Sequence, residues 1–119
     1  MENQHTKITG YRDLSAAEIA LMNEIKAHGA LTEALLAKVY AHLGAQFHAT
    51  EAKYAAPVDE ADHVVGTEIT DTPEEKEAKK AEHARLSAAE IFRWHAMAKT
   101  DLQTGMMKLV RAVAQPTTF

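Results

Sequence analysis

The chain contains no cysteine. That absence excludes disulfides, zinc–thiolate centres and a thiol nucleophile together, and it suits a reducing compartment. Proline occurs three times and glycine five times. With so few breakers, and with Ala, Glu, Lys and Leu abundant, long helices are expected. No apolar run is long enough to suggest a membrane span, and the N-terminal MENQHTK lacks the apolar core of a signal peptide. A basic excess is missing as well. The formal net charge is -4, which argues against a cationic face that wraps duplex nucleic acid. What remains is 119 residues with 46% hydrophobic and 25% charged side chains. That balance is expected of one soluble, intracellular helical domain.

The chain is organised around its last third, Ile91 to Pro116. Ile91, His95, Ala98, Leu102, Gly105, Leu109 and Ala112 recur at steps of four and three, the narrow seam of an amphipathic helix. Trp94, Met106, Val110 and Val113 widen the stripe on one side. Gly105 on the seam predicts close approach of a second backbone, and Pro116 sets the end. A matching seam runs through Met22, Ile25, Gly29, Thr32, Leu36, Val39 and Leu43.

Residues 1–13 read as an irregular or extended arm. Ser15 then caps a first helix over 15–54, with Glu18 completing a capping box and Leu14 placed to staple onto Ile19. Gly44 is a candidate kink, and Pro57 is the expected stop. Residues 55–71 form an acidic connector, read as a loop; Val64 and Val65 are its only candidates for strand pairing. Thr72-Pro73-Glu74-Glu75 restarts helix with Thr as N-cap and Pro at the first helical position. The second helical segment covers 72–114. The hexapeptide LSAAEI occurs at 14–19 and again at 86–91, so the second copy predicts a kink or a fresh cap near 86. The fold class is therefore all-α: a long antiparallel helical hairpin with an N-terminal arm. Residues whose numbers sum to roughly 128 should face one another across it. Two helices bury too little to stand alone, so a homo-oligomer is expected.

Catalytic chemistry finds little support. Glu60-x-x-His63 falls in the connector, and His48 with Glu51 has no partner pair, so no metal site is expected. The two serines, Ser15 and Ser87, are better explained as caps. No cofactor and no enzymatic activity are expected. The arm differs. Tyr11 offers a stacking face, Arg12 a bidentate fork and Lys26 a point charge, which together suit a small nucleotide with few phosphates. Gly29 gives such a ligand room to approach backbone.

KITGYRDLS, EIALMNEIKAHG and the terminal RWHAMAKTDLQTGMMKLVRAVAQPTTF resemble the phage anti-CBASS sponge family, over about Lys7–Gly29 and Arg93–Phe119. The resemblance implies a hexamer of helical hairpins in the cytoplasm of the infected host. It would sequester cyclic dinucleotide and trinucleotide immune messengers without degrading them. It also implies that Tyr11 packs on a base, that Lys26 contacts phosphate, and that Arg93 contributes to a separate trinucleotide site. The region from Leu31 to Phe92 reads as longer than the family pattern. Two rival readings are a structural coiled-coil protein of a phage particle and a messenger-degrading phosphodiesterase.

Overall fold

The computed structural model describes residues 12–55, 60–61, 63, 66 and 68–117. Three helices and one two-stranded ladder follow in the order α1 (Ala16–His48), β1 (Tyr54–Ala55), β2 (Glu68–Ile69), α2 (Pro73–Ala88) and α3 (Ile91–Ala114). Among the described residues, no helix is long and apolar enough to cross a membrane. The chain divides into two compact units, one of Met1–Lys38 with His95–Phe119 and the other of Val39–Trp94.

In the first unit, α1 begins on its capping box. The Glu18 N–H donates to Ser15 Oγ at 3.1 Å, and the Ser15 N–H donates to Glu18 Oε1 at 2.9 Å. The α1 seam is the half-buried face, since Met22, Ile25, Gly29, Thr32 and Leu36 are all partly covered. Two contacts fix the antiparallel register with α3. Arg12 Nη2 donates to the Val113 carbonyl at 3.0 Å, and His95 Nε2 lies 2.8 Å from the Leu36 carbonyl. Both pairs have numbers summing close to the roughly 128 expected of interlocking antiparallel seams.

The α3 seam departs from its expected course. Leu102, Gly105, Leu109 and Ala112 are exposed, while Met106, Val110 and Val113 are partly covered. The wider side of the stripe, not the seam itself, faces inward over the later turns. A straight helix drifts by about 20° per heptad against a 3.5-residue repeat, so one stripe cannot face one partner throughout. The close approach expected at Gly105 is not made among the described residues, where a Cβ built there meets nothing within 4 Å. Helix α3 ends at Ala114, followed by Gln115 in the left-handed region (φ 47°) and then Pro116.

In the second unit, α1 stops at His48 rather than near Tyr54, and Gly44 lies inside the continuous helix. Thr50 ends it: its N–H reaches the Phe47 carbonyl at 3.0 Å and its hydroxyl the same oxygen at 2.6 Å. A short side chain that bonds locally offers the backbone an alternative to the next helical turn. The connector is not wholly loop. Tyr54 pairs with Ile69 and Ala55 with Glu68 in an antiparallel ladder. Val64 and Val65, the expected pairing candidates, lie outside the described residues.

Charge holds this stem. Asp71 is buried; its Oδ1 accepts from Lys79 Nζ at 2.7 Å and its Oδ2 from the Lys53 N–H at 3.0 Å. Lys79 also donates to the Glu51 carbonyl at 2.9 Å, and Lys53 Nζ reaches Glu75 at 3.1 Å. Lys79 is the main cause that lowers the Asp71 carboxyl, with the Lys53 N–H assisting. Helix α2 opens on Thr72 and Pro73 with a full capping box to Glu75. Leu86 is its buried anchor, 1% exposed. Nearby, Phe47 stacks edge-on to Phe92 and tilts against His83, with ring centroids 5.9 and 5.1 Å apart.

The repeated hexapeptide takes two conformations. In the first copy Ser15 is an N-cap; in the second, Ser87 lies inside α2 and the break falls later, at Ala89–Glu90. Of the two expected alternatives, a fresh cap at Ser87 is absent, and the helical segment instead breaks a few residues past 86. Glu90 adopts φ 51°, which lets α2 end and α3 begin.

Candidate functional site

The five candidate residues lie apart along the chain. Tyr11 lies outside the described residues. Arg12, Lys26 and Gly29 belong to the first unit, and Arg93 to the second.

The Arg12 fork is already engaged. Nη1 donates to Glu18 Oε1 at 3.1 Å, Nη2 donates to Glu18 Oε2 and also to the Val113 carbonyl, and Nε is buried with no partner among the described residues. This pair holds the Glu18 carboxyl far below its ordinary range, at about 2, the arginine being the largest cause and the Ser15 N–H the next. The Arg12 guanidinium is correspondingly raised by Glu18. A fork already shared between a carboxylate and a helix-end carbonyl ties Arg12 to both α1 and α3. Neither anchor was marked by the sequence reading. The Glu18 signal was present as the second half of the capping box; nothing marked the Val113 carbonyl.

Lys26 is exposed, and among the described residues it has no ion pair or hydrogen bond. It stands on α1 eleven residues beyond Ser15, about 16 Å along the axis. Gly29, one turn further, is partly covered, yet a Cβ there would meet nothing within 4 Å among the described residues. Lys26 and Gly29 thus share one side of the helix, with an open cation beside open backbone. Arg93 is exposed near the start of α3, where its Nη1 donates to both Glu90 oxygens at 3.2 and 3.1 Å. Glu90 escaped the sequence reading, although its spacing three residues before Arg93 was the available signal. His48 Nδ1 lies 3.0 Å from Glu51. Among the described residues, no group of three or more His, Cys, Asp or Glu is placed to hold a metal ion.

Helical pairing in antiparallel register, a capped start to α1 and exposed cations on both long helices define a helical-hairpin protein. The chain belongs to the Acb2/Tad1 hairpin-domain family, whose model matches residues 4–114. Among individual proteins, it is 42% identical over 116 residues to Anti-CBASS protein 2 of Pseudomonas phage JBD67, covering 98% of this chain and 97% of that relative. The resemblance read at the two ends of the sequence is therefore right and extends through the middle. The region from Leu31 to Phe92 lies inside both matches, so it is shared with the relative and is not an addition peculiar to this chain.

Proposed function

We propose that this protein counters CBASS immunity by binding cyclic di- and trinucleotide messengers and holding them intact. The observation that carries the reading is the near full-length similarity, at 42% identity, to a phage Anti-CBASS protein. A sponge acts by mass action in the cytoplasm of the infected host, drawing free messenger below the threshold of its effector. It needs affinity and slow release, and no reacting group.

In this reading Tyr11 stacks on a base and Lys26, an exposed cation with no partner among the described residues, takes a phosphodiester. Gly29 leaves room for the ligand beside the α1 backbone. Arg12, bound to Glu18 and the Val113 carbonyl, serves by fixing the arm that carries Tyr11. Arg93 contributes to a second site that takes cyclic trinucleotides.

The working form is a homo-oligomer, a hexamer by family resemblance. Its support is the shortage of core in one chain. Among the described residues, Leu86 and Ala114 are the only buried hydrophobic side chains, while Leu31, Leu35, Trp94, Met107 and Leu109 are more than half exposed. Further copies of the chain would cover such a surface.

The test is to incubate the purified protein with a cyclic dinucleotide, remove free ligand, release by heat and separate by chromatography. Recovery of intact ligand is expected. Linear product would instead identify a phosphodiesterase, and no retention would leave a structural coiled-coil protein.

A further inference from the structure

Glu90 is the point of interest. It is a non-glycine residue in the left-handed region (φ 51°), a conformation that glycine adopts at far lower cost. Its backbone is held from both sides. Its N–H reaches the Ser87 carbonyl at 3.2 Å, and its carbonyl accepts from the Trp94 N–H at 3.1 Å. The turn itself needs only backbone, so glycine would serve it better. What glutamate adds is a carboxylate, and both of its oxygens lie on Arg93 Nη1. The pair is open to solvent, the side chains being 49% and 63% exposed. Strain retained beside an exposed cation points toward function rather than stability, because an exposed ion pair stabilises a fold little.

We infer that Glu90 is a specificity-determining residue of the Arg93 site, competing with an incoming phosphodiester for the guanidinium. This rests on the reading of Arg93 as part of the second, trinucleotide site, and takes its guanidinium to meet a phosphodiester there. A phosphodiester that engages Nη1 must displace the carboxylate, and one that binds the opposite edge still feels its charge. Glu90 therefore lowers the affinity of Arg93 for any single phosphodiester. It restricts retention there to ligands held by further contacts at the same time, as a messenger with several phosphodiesters in one ring can be.

The experiment titrates cyclic triadenylate into the assembled full-length protein by calorimetry, using the unmodified chain, Glu90→Gln, Glu90→Gly, Arg93→Ala and the double variant Glu90→Gln/Arg93→Ala. Glu90→Gly keeps the turn and removes the carboxylate, so it guards against a folding effect of the glutamine. Both single Glu90 variants should bind about two- to fivefold more tightly at low salt, the scale of an exposed ion pair. The gain should shrink at high salt and vanish in the double variant. If Arg93→Ala weakens binding but neither Glu90 variant strengthens it, the competition is refuted while the Arg93 site stands. If Arg93→Ala leaves binding unchanged, the site and the inference fall together.

Discussion

The same leucine in the same hexapeptide should cost different amounts when truncated. Leu86 is buried at 1% exposure, whereas Leu14, its counterpart in the first LSAAEI, is only partly covered. Leu→Ala removes three carbons. At about 0.8 kcal/mol per buried methylene, Leu86→Ala forfeits about 2.4 kcal/mol of transfer free energy. The cavity left behind brings the total to about 3 kcal/mol, within the known range of about 2–5. Leu14→Ala, with part of its surface already wet, should cost about 1 kcal/mol. For a chain of this size the larger loss lowers the thermal midpoint by about 10 °C and the smaller by about 4 °C. Urea unfolding followed by helical circular dichroism measures both. Protein concentration must be fixed, because the stability of the proposed homo-oligomer would depend on it. Equal losses in the two variants, or a Leu86→Ala loss under about 1 kcal/mol, would refute the account of Leu86 as the anchor of the second unit.

Other expectations follow from caps, charge and ligand contacts. Thr72→Ala removes the N-cap of α2 and should cost about 1 kcal/mol in the same assay, with Ser15→Ala similar at α1. Glu18 sits at about 2 instead of its ordinary 4.5, so its contribution to stability is full above that ordinary value and is lost as pH falls toward about 2. Glu18→Gln should flatten the stability profile across that acid window, which acid titration of the unfolding midpoint will reveal. Lys26→Ala should weaken cyclic dinucleotide binding about tenfold to a hundredfold in calorimetry, as loss of a charge-assisted bond implies, with helix content unchanged. Tyr11→Ala should weaken cyclic dinucleotides and spare cyclic trinucleotides, and Arg93→Ala should do the reverse. Equal loss of both ligands in each variant, with the oligomer intact by sedimentation, would mean one composite site.

What the sequence made legible was local or periodic. The Ser15–Glu18 and Thr72–Glu75 boxes are visible because a cap and its partner lie three residues apart. The α1 seam is visible because burial follows the helical repeat from Met22 to Leu36, although its next member, Val39, is exposed. What stayed hidden depends on residues distant in the chain. The ladder at Tyr54–Ala55 and Glu68–Ile69 is tied by Asp71 to Lys79 and Lys53, and no single segment announces it. The second LSAAEI matches the first in letters but not in role, because the residues before it are helical whereas Arg12 and Asp13, before the first, are not. The change of face along α3, from His95 to Met106 and Val113, is invisible to a strict repeat. At the candidate site, spacing marked Arg12 and Lys26 only as cations near an aromatic. It could not show that the Arg12 fork is occupied while Lys26 is open.

The stem of the second unit also makes the protein easy to extend. The ladder and the charges beneath it hold Ala55 and Glu68 together whatever lies between them. A peptide spliced into residues 56–67 would find its ends already closed, and each doubling of such a loop costs only about 0.6 kcal/mol. The cap at Thr72 and the end of α1 at His48 lie outside the splice, so the helices keep their boundaries. That makes the stem the natural place for an epitope or fluorescent reporter, by which the protein could be followed through an infection while its termini stay native.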